Sequence, residues 1–210
     1  MRDLMVTLTG PSCSGKTELL SKLLSTGEFQ VLRSLTTRAR REGEGDSEYL
    51  FVMEPHFKHA LKQGELAQST VFSNVSYGTT WKEIERVLET GKIPIRIVEP
   101  TGVDQFTQAL KHRKMDVFSV FVDADFDVII DRWIHRINES DNPDIAHFTK
   151  RLITSSTEER RWFMVRKYDL HVISNDSAEG YQAFSQVRRA VERRKKYGKG
   201  LRAIFNRLRG

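Results

Sequence analysis

The segment Gly10-Pro11-Ser12-Cys13-Ser14-Gly15-Lys16-Thr17 fits the spacing G-x-x-x-x-G-K-[ST] at every fixed position, and each residue type in that spacing has a physical job. The glycines let backbone N–H groups wrap a phosphate, and the helix that should follow adds positive potential at its N-terminus. Lys16 supplies a mobile charge, and the Thr17 hydroxyl is a hard oxygen ligand suited to Mg2+. The chemistry implied is binding of a nucleoside triphosphate with Mg2+, the triphosphate lying along residues 10 to 17. Cys13 has two readings, a thiol acidified by the helix terminus or a small residue filling a variable loop position.

The elements around this loop are those its mechanism requires. Leu4–Thr9 reads as a short buried strand, and a helix runs from Lys16 to about Leu24, stopped by Ser25-Thr26-Gly27. The apolar runs Ile93–Val98, Val117–Val122 and Leu170–Ile173 predict further buried strands, separated by helical stretches such as Thr80–Glu89 and Phe126–Arg136. Strands alternating with helices predict a parallel α/β core. Two stretches depart from that rhythm: Ser34 to Thr79, rich in Thr, Arg, Gly, Glu and Tyr, and the polar stretch Asn138 to His147 with a Pro inside it.

The 210 residues suffice for one substantial core with small appended lobes. A hydrophobic content of 39% with 30% charged residues excludes disordered and fibrous classes. No apolar run approaches the ~18 residues of a membrane span, and the N-terminus lacks the pattern of a cleaved signal. The single cysteine excludes an intrachain disulfide, and both features predict a cytoplasmic protein. The scattered histidines, with His56 and His59 three apart, do not form a zinc-binding pattern. Residues 188–210 hold ten basic residues and one acid, +9 against a chain total of +6, so the rest carries −3. Val187–Lys196 reads as a helix, Gly198 and Gly200 break it, and Leu201, Ile204, Phe205 and Leu208 then fall at amphipathic spacing in that tail. It is a candidate contact for nucleic acid, an anionic surface or a partner protein, or else docks on the chain's own core.

A second phosphate site is written between residues 34 and 80. Ser34-Leu35-Thr36-Thr37-Arg38-Ala39-Arg40-Arg41, then Tyr49-Leu50-Phe51-Val52, then Tyr77-Gly78-Thr79-Thr80 combine guanidinium forks with phenol donors, which suits a dianionic phosphate. The plainer alternative is a solvated basic loop. With the upstream loop, this order of segments resembles the guanylate kinase family along nearly the whole chain. The resemblance implies that Ser34, Arg38, Arg41, Tyr49 and Tyr77, with Thr79 beside them, hold an acceptor monophosphate. It also implies a Lid carrying Arg132, Arg136 and Arg151, which neutralise the transferring phosphoryl together with Lys16 and Arg38, and it places Asn175 near the adenine of ATP. Arg132 and Arg136 are four apart and so share a helical face, although surface ion pairing is the alternative for such arginines.

The chain departs from the family pattern where the base is read. The family's carboxylate falls on Gln68, whose amide can accept from one guanine donor but presents its own NH₂ to the other. Glu65, one turn earlier, restores a carboxylate if the alignment slips. Of the two aspartates the family places two apart, the first is Ile97 here and the second is Glu99. A Gln suits a base edge with a donor beside an acceptor, as in adenine, cytosine or thymine.

The expected fold is α/β: a P-loop NTPase core with a parallel β-sheet flanked by helices (residues 1–33 and 91–187), an inserted acceptor-binding arm (34–90), a small Lid (132–152) and a basic tail (188–210). The expected activity is transfer of the ATP γ-phosphoryl to a nucleoside or deoxynucleoside monophosphate. The alternatives are a kinase acting on another acceptor, a modified base in DNA or a sugar phosphate, and a module that has lost catalysis and binds a phosphopeptide.

Overall fold

The computed structural model describes residues 3–40, 44–72, 74–139, 144–175 and 177–198. Strand β1 (Leu4–Thr9) is buried at every position, as expected of a strand covered on both faces. Helix α1 (Lys16–Ser25) buries Leu19, Leu20 and Leu23, and the left-handed Gly27 (φ 74°) follows its end. β1 is the middle of a five-stranded sheet of order β2-β7-β1-β8-β9, where β2 is Phe29–Val31, β7 Ile93–Ile97, β8 Asp116–Asp123 and β9 Leu170–Ile173. β2 with β7, and β8 with β9, pair in parallel. The α/β core is thus the one the apolar runs predict.

The stretch from Ser34 to Thr79 builds a sheet of its own, of order β4-β3-β6-β5, from β3 (Ser34–Thr36), β4 (Tyr49–Phe51), β5 (Leu66–Phe72) and β6 (Val75–Thr80). Helix α2 (Glu54–Lys62) lies between β4 and β5 in sequence, and α3 (Trp81–Glu89) follows β6 with Thr80 as its N-cap. Helix α4 (Pro100–Lys111) starts directly after Glu99, with Pro100 in the first turn, where a missing N–H costs nothing.

The described residues divide into two compact units, one of residues 3–7 and 24–117, the other of residues 8–23 and 118–198. In the first, Met5, Leu32, Ile84, Val87, Val103, Phe106 and Leu110 form the core. In the second, α5 (Phe126–Asn138) and α6 (Ile145–Thr157) pack Trp133 edge-on against Phe148 at 5.8 Å, with Ile129 and Leu152 in the same cluster. A 3-10 turn (Glu159–Arg161) and α7 (Trp162–Val165) lead towards β9. Helix α8 (Ser177–Tyr197) begins ten residues before the helix read at Val187. Its Val187 and Val191 are buried, and Arg194 bonds Asp169 at 3.5 Å with its guanidinium over Phe118. This described part of the basic segment therefore packs on its own unit. Residues 199–210, which carry the amphipathic spacing, lie outside the described residues. Among the described residues no helix is long and apolar enough to cross a membrane.

Candidate active site

The phosphate loop is held in shape by backbone conformations that its sequence permits. Gly10 has φ 151°, and a Cβ placed on it would lie 1.9 Å from the Val122 carbonyl oxygen, a position only glycine can occupy. Gly15 has φ 92°, with a would-be Cβ 2.8 Å from Ser174 Oγ. Cys13 takes a left-handed φ of 64° despite its side chain. Burial pushes its thiol up from the ordinary range and outweighs Arg136, Lys16 and Arg151 nearby. That removes the acidified-thiol reading and leaves Cys13 as a small filling residue beside Trp133 and Ile129.

Lys16 Nζ donates to the carbonyls of Gly10 (2.9 Å) and Pro11 (2.5 Å). Burial lowers its pKa to about 8, against the raising influence of Glu159. Thr17 is exposed in the first turn of α1. Arg132 is committed to backbone: its Nη1 donates to Cys13 O (3.1 Å), and its Nη2 donates to Ser174 O and Asn175 O (both 2.7 Å). Arg136 lies near enough to the Cys13 thiol to act on it electrostatically, and Arg151 Nη2 donates to Ser12 Oγ at 3.1 Å. All three arginines named from the sequence thus converge on the loop from Ser12 to Cys13, with Ser14 fully buried beside them. The Asn175 side chain pairs with Asp125, its Oδ1 accepting from Asp125 N (2.7 Å) and its Nδ2 donating to Asp125 Oδ2 (2.9 Å).

In the other unit the four-stranded sheet brings the acceptor residues into a row. Ser34 is in register with Tyr49, Leu35 with Gly78, and Gln68 with Thr79. Tyr49, Ser34, Thr79 and Gln68 therefore stand one per strand across the sheet, and neighbours in such a row share a face. Ser34 Oγ and Thr79 Oγ1 are 3.2 Å apart and buried, and Gln68 is buried with its Nε2 facing Gly102. Tyr77 meets Tyr49 edge-on at 6.0 Å, and the Arg38 guanidinium lies 5.4 Å over the Tyr49 ring. Arg38 also bonds Glu44 at 2.5 Å, which holds its pKa up. Glu99 accepts from Thr70 Oγ1 at 2.5 Å, which sets it beside the strand of Gln68. Arg41 lies outside the described residues.

Three features were not read from the sequence. Arg96 is buried within β7, donates from Nη1 to Leu32 O (2.6 Å) and Glu48 O (3.0 Å), and lies 5.1 Å from the Tyr49 ring centre. One guanidinium thereby fixes the residues that lead into β3 and β4. A charge inside the run Ile93-Pro94-Ile95-Arg96-Ile97 was its only signal. Buried Glu83 takes five hydrogen bonds from Arg33 and Arg86. Buried Glu159 accepts from Ser12 N at 2.5 Å.

The geometry agrees with what comparison with known proteins finds. The guanylate kinase family model matches residues 2–194. A guanylate kinase of Bradyrhizobium diazoefficiens is 30% identical over 213 aligned positions, covering 100% of this chain and 92% of the relative. One from Chlamydia trachomatis serovar D is 29% identical, covering 91% and 89%. In fold, the crystal structure of guanylate kinase from Anaplasma phagocytophilum superposes with a TM-score of 0.62 at 20% identity, over 96% of this chain and 93% of that one. A phosphate loop on a parallel sheet, an arginine-tyrosine arm and a family match across nearly the whole length lead to one conclusion: the chain belongs to the guanylate kinase family and is an ATP-dependent nucleoside monophosphate kinase.

Proposed function

We propose that the chain transfers the γ-phosphoryl of ATP to a nucleoside or deoxynucleoside monophosphate whose base is not restricted to guanine. The observation that carries the base assignment is Gln68, a buried neutral amide at the end of the row Tyr49, Ser34, Thr79, Gln68. A carboxylate there would accept from both neighbouring donors of guanine, whereas an amide offers one acceptor and one donor. Glu99, held by Thr70, supplies the nearby acid.

In this reading the loop N–H groups and Lys16 hold the triphosphate, and Arg38, Arg41, Tyr49 and Tyr77 hold the acceptor phosphate. Ser34 and Thr79, expected from the resemblance at the acceptor phosphate, bond each other in the row that ends at Gln68, so with Gln68 and Glu99 they are assigned here to the base. Arg132, tied to three carbonyls, fixes the loop, while Arg136 and Arg151 neutralise charge on the transferring group and help to exclude water. An acceptor phosphate oxygen is already a nucleophile at neutral pH, so no side chain need remove a proton from it.

Thr17 offers one hard oxygen, and among the described residues no three His, Cys, Asp or Glu side chains converge on a metal position. That donor set suits Mg2+, which keeps its waters and takes phosphate oxygens, rather than a caged ion. When bound, Mg2+ neutralises the β- and γ-phosphate oxygens.

A coupled assay over all common ribo- and deoxyribonucleoside monophosphates tests the base assignment. A monophosphate other than GMP or dGMP is expected to match or exceed them in kcat/KM. Gln68→Glu is expected to move the preference toward guanine by roughly 10- to 100-fold, the effect of one charge-assisted hydrogen bond of about 1.5–3 kcal/mol. A hundredfold lead for GMP and dGMP, unaltered by Gln68→Glu, would defeat the reading.

A further inference from the structure

Arg151, Ser155 and Glu159 recur at every fourth residue along α6 and the turn after it, and all three end on one residue of the phosphate loop. Arg151 Nη2 donates to Ser12 Oγ (3.1 Å), and Ser155 Oγ donates to Ser12 O (3.3 Å). Ser12 N donates to Glu159 Oε2 (2.5 Å) and Ser12 Oγ to Glu159 Oε1 (3.3 Å). The N–H, the carbonyl and the hydroxyl of Ser12 are all engaged by this one stripe. Ser155 is 0% exposed and Glu159 6%, so water does not compete with these bonds, and a carboxylate so buried needs such partners. The same carboxylate acts electrostatically on Lys16.

We propose that Glu159 is a positioning residue of the donor site, acting through Ser12 to hold the phosphate loop in the shape that receives ATP. The proposal rests on residues 10 to 17 being the ATP site.

The test compares wild type, Glu159→Gln, which keeps the shape and an acceptor, and Glu159→Ala. The readout is the kinetic split: Glu159→Ala should raise KM for ATP about tenfold, with Glu159→Gln in between and KM for the acceptor within twofold of wild type. A KM for ATP unchanged in both variants overturns the proposal. So does tighter binding of ATP by Glu159→Gln in calorimetry, since the carboxylate would then be a competitor for the loop. If Glu159→Ala does not fold, KM for ATP in Glu159→Gln still decides. Failure of the underlying donor-site reading is separately visible, because wild type itself would then not bind ATP.

Discussion

Replacing Lys16 with alanine is expected to lower turnover about a thousandfold while leaving the fold intact. A single preorganised donor aimed at charge developing in a transition state contributes about 10²- to 10³-fold, and an ammonium on a phosphoryl group belongs at the upper end. The fold should survive because, among the described residues, Lys16 bonds only to carbonyls of its own loop, and α1 keeps its buried face of Leu19, Leu20 and Leu23. Linkage gives the same answer. The folded pKa of about 8 lies below the ordinary 10.5, so between those values the unfolded chain binds the extra proton. The buried ammonium therefore opposes folding in full below pH 8, and this opposition fades as pH rises to about 10.5. At neutral pH the alanine variant should be at least as stable as wild type, which a thermal melt followed by circular dichroism measures. The free-enzyme ionisation appears in kcat/KM for ATP, which should fall as pH rises through about 8 in wild type. Turnover retained within tenfold in Lys16→Ala would remove Lys16 from the mechanism.

The donor loop was legible because its chemistry is local. Gly10, Gly15, Lys16 and Thr17 act within one turn of chain, and the backbone demands at Gly10 and Gly15 leave a glycine signature in the sequence. The row Tyr49, Ser34, Thr79, Gln68 was legible only through family resemblance. Its members lie up to 45 residues apart for the Ser34–Thr79 pair, and no periodicity announces that β3 will lie between β4 and β6. The stripe on Ser12 was illegible for a different reason. Glu158 and Glu159 are adjacent and chemically identical, and only the turn after α6 decides which one is buried. Helix α4 was masked by a Pro that reads as a break, yet Pro100 lies in the first turn. The start of α8 was obscured by Gly180, a poor helix former. A Cβ there would meet Lys22 Nζ at 3.4 Å and Ser174 Oγ at 3.5 Å, so the position is tight as well.

Glu83 shows how far local pattern can mislead, and it carries the largest expected effect on stability. Thr80-Trp81-Lys82-Glu83 has the spacing of a capping box, and Thr80 Oγ1 does accept from Glu83 N at 3.1 Å. The carboxylate, however, turns to two arginines. It accepts from Arg33 N, Nε and Nη2 and from Arg86 Nε and Nη2, all at 2.7–3.1 Å. Burial by itself would raise its pKa, but the bonds from Arg86 and Arg33 outweigh burial and hold it at about 2. Glu83→Ala leaves the Arg33 N–H and two guanidiniums without their acceptor. Breaking a buried pair costs about 3–5 kcal/mol. Arg33 and Arg86 remain 30% and 37% exposed and can turn to water, which puts the expected loss near the lower figure, about 3 kcal/mol. Urea denaturation at pH 7 measures it. Because the folded value lies below the ordinary 4.5, the stabilisation is complete above pH 4.5 and disappears as pH falls toward 2. The gap between wild type and Glu83→Ala should therefore close over that window, and a gap that persists at pH 2 would mean that the ion pairs are not its source. Arg33 immediately precedes Ser34, the start of β3, so a loosened Arg33 disturbs the row that meets the acceptor. Under conditions where Glu83→Ala is still folded, KM for the monophosphate should rise several-fold while KM for ATP stays near wild type. Equal increases in both would indicate general loosening rather than a fault in the arm.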